Sequence, residues 1–126
     1  MALVACAGCS TVAAPTSVSP RKVVPVEVWT GGDDGLTQRL AEAVRNEFRQ
    51  SSRFALVSGP APESLRVTIP THVGWEQRGG RLRVSYELRL SRDGRNLGER
   101  SGACWENDLR TCARLIVADA IQAGFH

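Results

Sequence analysis

The sequence predicts an α+β fold: a two-layer sandwich in which a mostly antiparallel sheet of four to five strands carries two helices on one face, in the order β-α-β-β-β-β-α. Three observations predict it. Two long segments alternate apolar and polar residues with period two, two others space their apolar residues as a helix does, and each segment has one apolar face that needs a cover. With 126 residues, 42% hydrophobic and 23% charged, the chain suffices for one domain with its own core and is too short for two.

The elements follow in order. Residues 23–30 (VVPVEVWT) are β-branched and aromatic and read as a first strand; Pro25 has no N–H to give a ladder, so that end is expected at a sheet edge. After a Gly- and Asp-rich turn, residues 36–50 set Leu36, Leu40, Ala43, Val44, Glu47 and Phe48 on one helix face, all but Glu47 apolar. Asp33 and Asp34 suit the N-cap and the positive end of that helix. A short strand at 54–57 and a loop at 59–62 come next. Residues 65–75 put Leu65, Val67, Ile69, Thr71, Val73 and Trp75 opposite Arg66, Thr68, Pro70, His72 and Gly74. Residues 81–91 put Leu82, Val84, Tyr86, Leu88 and Leu90 opposite Arg81, Arg83, Ser85, Glu87 and Arg89. Gly79-Gly80 and Asp93-Gly94 are hairpin turn signals, and 96–105 is a weaker last strand, diluted by Gly98 and Gly102. Asn107 or Asp108 caps a final helix whose stripe is Leu109, Cys112, Ala113, Ile116, Val117, Ala120 and Ile121; Gly124 ends it.

The N-terminus reads as a processing signal. Leu3-Val4-Ala5-Cys6 resembles the bacterial lipobox, which implies that Cys6 is acylated and becomes the mature N-terminus; Cys6-Ala7-Gly8-Cys9 is a competing match, with Cys9 as the alternative site. Residues 1–9 are then the remnant of a lipoprotein signal peptide. Only five residues precede Cys6 and none is basic, so the signal's basic and apolar parts are expected upstream of Met1. Two other readings stay open: an inert apolar leader, and a Cys-x-x-Cys redox pair, which normally opens a helix after a strand. Residues 10–22 (STVAAPTSVSPRK) carry no apolar periodicity and read as a flexible tether, long enough to hold the domain of residues 23–126 up to about 40 Å from a membrane.

Cys104 and Cys112 are expected to form a disulfide, with two buried free thiols as the alternative. The bond would close a short loop and agree with an oxidising compartment such as the periplasm. Strict alternation from Leu97 places Cys104 on the face opposite Ala103 and Trp105, so the bond calls for a bulge or an early end to the strand. A zinc site wants about four suitably spaced ligands; beyond the cysteines there are only His72, expected to be solvated on a polar strand face, and the terminal His126. No metal and no cofactor are expected.

Fifteen of the sixteen basic residues are Arg, but thirteen acidic residues are interspersed among them, which disfavours nucleic-acid binding. No Gly-x-Ser-x-Gly elbow, phosphate loop or His-Glu-x-x-His motif is present, so no enzymatic activity is expected.

Across residues 23–124 the pattern resembles two groups of small outer-membrane lipoproteins. LTQRLAEAVRNEFRQ, SLRVTI and VSYELRL are similar to the helix-strand-strand rhythm of the lipopolysaccharide-assembly lipoprotein that plugs an outer-membrane barrel. The whole order is similar to the domain shared by the Tol-system propeller protein's N-terminus and the lipoprotein activators of penicillin-binding proteins. The resemblance implies a lipid-anchored, periplasm-facing protein, at the outer membrane by preference, that serves as an interaction or assembly module for an envelope protein partner. The candidate binding face is the polar side of the sheet, with Arg66, Arg81, Arg83 and Arg89. The alternative is that these arginines bind anionic lipid or lipopolysaccharide phosphates.

Overall fold

The computed structural model describes residues 23–125; the expectations for Cys6, Cys9, the leader, the tether and His126 lie outside the described residues. The elements are β1 (Val24–Thr30), α1 (Gly35–Arg49), β2 (Phe54–Leu56), β3 (Leu65–Ile69), β4 (Gly74–Arg78), β5 (Arg81–Arg92), β6 (Arg95–Trp105), a single 3-10 turn (Glu106–Asp108) and α2 (Leu109–Gly124). The class and the order are those expected, with one strand divided in two.

The division falls at Pro70. The segment 65–75, expected to be one strand, stops pairing after Ile69 and resumes at Gly74. Pro70 offers no N–H, and the Val73 N–H leaves the sheet to donate to the buried Thr37 hydroxyl at 3.0 Å. Val73 is thereby drawn into the core, while Thr71 and Trp75, expected on the same apolar face, stay exposed. Both pieces pair with the same edge of β5: Val67 lies opposite Leu90, and Trp75 opposite Val84. β6 occupies the other edge, with Cys104 opposite Val84 and Gly98 opposite Leu90.

The sheet is antiparallel from β3 through β5 to β6, but β1 runs parallel to both β2 and β3. A strand that reaches its neighbour through a helix returns in the same direction, and α1 makes that connection between β1 and β2. Pro25 therefore sits in an interior strand rather than at an edge. It is tolerated because Val24 N and Val26 O bond toward the β2 side, so Pro25 faces the β3 side, where pairing begins only at Val26.

Both helices cover one face. Leu40, Ala41, Val44 and Phe48 of α1 and Cys112, Ala113, Ile116, Val117 and Ala120 of α2 form one cluster with Val24, Val26, Leu65, Val67, Ile69, Val84, Leu88 and Leu90 of the sheet. Asp34 caps α1, accepting from the Thr37 N–H at 3.1 Å and from the Thr37 hydroxyl at 2.6 Å. These bonds, the hydroxyl's foremost, hold its carboxyl below the usual aspartate range. Glu47 faces Arg110 and Arg114 of α2, at 3.4 and 3.9 Å. Tyr86 lies over Gly102, its partner on β6, where a Cβ would collide with the phenol. Burial, with the Asp119 carboxylate nearby, pushes that phenol up to about 12.

Candidate functional surface

With both helices on one side, the other side of the sheet is left to solvent. β5 points Arg81, Arg83, Glu87 and Arg89 there, and β3 adds Arg66; all five are exposed. Period-two alternation thus places the four expected arginines on the open face, but it does not gather them. Arg83 and Arg89 are six residues apart on one strand, about 20 Å, so the four fall into two pairs at opposite ends of the face.

At one end is a carboxylate that sequence reasoning passed over. Glu27 is only 2% exposed. It accepts the Trp29 indole N–H at 2.7 Å, the Ala61 N–H at 3.1 Å, the Arg66 guanidinium at 3.2 Å and the Ser64 hydroxyl. Burial alone would push its carboxyl up. The donors outweigh burial and hold it below the usual glutamate range. Arg66 also lies over the Trp29 ring, 5.4 Å from its centroid. Alternation in VVPVEVWT already puts Glu27 and Trp29 on the open face, but Ala61 and Ser64 are more than thirty residues away in sequence, and nothing local reveals the cluster. Nearby, Arg89 pairs with Glu99 at 3.6 Å.

At the other end, β4, the adjoining half of β5 and the end of β6 bring Arg78, Arg81, Arg83 and Trp105 together. Arg78 stands directly opposite Arg81, and Arg81 lies over the Trp105 ring at 3.9 Å. Arg78 pairs with Glu76 at 2.8 Å, while Arg83 makes no ion pair among the described residues. A shallow cleft of about 460 Å³ runs from Arg78 and Arg83 past Trp105 to Asp108 and Thr111.

The disulfide closes beneath this end. Cys104 and Cys112 are bonded, their Cα atoms 5.6 Å apart, tying the end of β6 to the second turn of α2. The conflict with alternation is resolved by a bulge. Leu90 pairs with Gly98 and Ser91 with Asn96, so Leu97 is an extra residue that reverses the facing of everything after it. Gly98, at φ 128°, takes up the distortion.

His72 is not on a strand face as expected. It lies in the link between β3 and β4, with Nδ1 3.1 Å from Asp34 and Nε2 3.7 Å from Asp33. The adjacent Thr37 hydroxyl is already engaged by Asp34 and by the Val73 N–H. Among the described residues no three His, Cys, Asp or Glu side chains converge as metal ligands do, and no helix is long and apolar enough to cross a membrane.

By sequence the chain matches no family model and no curated protein. Solved structures do match. The protein XCC0632 from Xanthomonas campestris, of the family DUF330, superposes with a TM-score of 0.67 at 11% identity, covering 83% of this chain and 87% of that one. TolB from Acinetobacter baumannii gives 0.58 at 14% identity over 82% of this chain, but the matched part is 29% of TolB. A PelC dodecamer from Paraburkholderia phytofirmans gives 0.56 at 14%, covering 83% of this chain and 90% of that one. At these identities the likeness is one of architecture: this chain has the α+β fold that recurs in XCC0632, in PelC and in one part of TolB.

Proposed function

We propose that the chain is a non-enzymatic module of the bacterial cell envelope, held to a membrane by an acyl group on Cys6 or Cys9, that engages an envelope protein through the open face of its sheet. The observation that carries this reading is the face itself. Nothing in the described chain covers it, and its middle presents Ser85, Glu87, Arg89 and Ser101, all exposed. The Cys104–Cys112 bond supports an oxidising compartment, and the fold shared with TolB fits the Tol-system resemblance read from the sequence.

A photo-crosslinker placed at Ser85 or Ser101, both on the open face, is expected to capture a discrete envelope protein in intact cells. One placed at Arg114 on the helix layer is not. Capture from the helix layer alone would overturn the assignment of the face. The anchor is tested by metabolic labelling with a fatty acid: label is expected on the parent and lost when the acylated cysteine becomes alanine. Label that survives Cys6→Ala/Cys9→Ala would overturn the anchor.

A further inference from the structure

The β4–β5 hairpin is built differently from the rest of the sheet. All five residues of β4 are exposed, on both faces of the strand. Trp75 is the most exposed large apolar residue described, at 63%, although it sits on the side of the sheet that elsewhere is covered by helices. Across the hairpin, the opposite side carries Arg78, Arg81 and Arg83. The tip is Gly79-Gly80, both at positive φ with open space around them, so the arm ends without a bulky side chain.

This arrangement works against the fold. Like charges directly opposite on neighbouring strands are destabilising, and Arg78 faces Arg81. An indole left in water forgoes the burial it would find at an interface. Two carboxylates stand nearby, Glu76, which pairs with Arg78 and stands opposite Arg83, and Asp108 with Thr111, and two negative charges do not balance three guanidiniums.

We propose that the hairpin is a docking arm for an anionic lipid bilayer surface, with Trp75 seated at the headgroup level and Arg78, Arg81 and Arg83 on lipid phosphates. The charge complementarity points to an anionic surface. The indole points to a bilayer, because the apolar ring and its polar N–H suit the boundary between acyl chains and water. The inference rests on the envelope reading above and refines it: one end of the sheet meets lipid, leaving the remainder of the open face for protein. β1 begins at the end of the sheet opposite the hairpin tip, since β1 runs parallel to β3 and β4 continues the course of β3 along β5. The twelve residues of β5 span about 40 Å, close to the reach of residues 10–22 at full extension. Anchor and arm can therefore reach one bilayer.

The test uses the full chain carrying Cys6→Ala/Cys9→Ala, so that no acyl group contributes and the outcome is independent of the anchor. Vesicles of phosphatidylglycerol and phosphatidylethanolamine are compared with vesicles of phosphatidylcholine alone. Expected are salt-sensitive binding to the anionic vesicles only and a blue shift of tryptophan emission that disappears in Trp75→Phe. Arg78→Gln/Arg81→Gln/Arg83→Gln is expected to weaken binding about a hundredfold, and Glu76→Gln to tighten it about fivefold, from the effect of one charge near such a surface. The Glu76→Gln gain keeps the test decisive if the triple variant folds poorly. Absent binding, equal binding to phosphatidylcholine, or a blue shift that survives Trp75→Phe would overturn the proposal. So would a photo-crosslinker at Gln77 that captures protein rather than lipid in intact cells; that result would leave the protein-binding face standing.

Discussion

The two ends of the open face use the same side chains to opposite effect. At each an arginine lies over a tryptophan, Arg66 on Trp29 and Arg81 on Trp105. Around Glu27 the stack is locked: a buried carboxylate collects an indole, a hydroxyl, a backbone N–H and a guanidinium, and holds the loop after β2 against β1. At the hairpin end there is no buried carboxylate among the described residues, two arginines oppose one another, and Arg83 makes no ion pair there. The contrast teaches that an arginine–tryptophan contact is not by itself a mark of function. What separates structure from recognition is whether the surrounding donors and acceptors are already satisfied within the fold.

The largest expected effect is at the locked end. Glu27→Ala removes the acceptor from four donors and is expected to cost about 3 kcal/mol in urea unfolding, with faster hydrogen exchange at Ala61. A cost below about 1 kcal/mol would show that the cluster is not a lock. The same residue gives a pH dependence. Its folded-state carboxyl is held below its ordinary value of 4.5, so its contribution is present above that value and lost as pH falls through the lower, folded-state one. Glu27→Gln is expected to flatten the acid limb of the stability curve. An unchanged limb would mean that another group dominates it.

Next in size is the disulfide, which fixes the floor of the hairpin end. Cys104→Ala/Cys112→Ala is expected to cost about 2.5 kcal/mol by the loop it opens, read as a lowered urea midpoint. The smallest effect is expected at the arginines themselves. Arg81→Gln/Arg83→Gln is expected to stay within about 0.5 kcal/mol of the parent, or to gain slightly by relieving the opposition of Arg78 and Arg81. A loss as large as that of Glu27→Ala would erase the distinction between the two ends.

Much of this was legible in the chain because it is periodic. Alternation in residues 81–91 places Leu82 to Leu90 inward and Arg81 to Arg89 outward, and helical spacing picks out Leu40, Val44, Phe48, Cys112, Ile116 and Ala120. What was not legible depends on partners distant in sequence. The break after Ile69 is signalled by Pro70, yet its depth comes from Thr37 drawing Val73 inward. The parallel pairing of β1 depends on where α1 returns the chain. The cluster around Glu27 exists only once the loop reaching Ser64 has folded over β1. Alternation puts the arginines on the open face but does not order them along it, because it fixes the side of a strand and says nothing about how charges distant in sequence are grouped.

The extra residue at Leu97 has a consequence for redox chemistry. Pairing β6 without the bulge, every residue retained, would restore unbroken alternation and rotate Cys104 to the outer side of the sheet, away from Cys112. The bulge at this one position therefore decides whether the two sulfurs meet inside the molecule or are left free to react with another molecule, a change in thiol fate brought about without altering either cysteine.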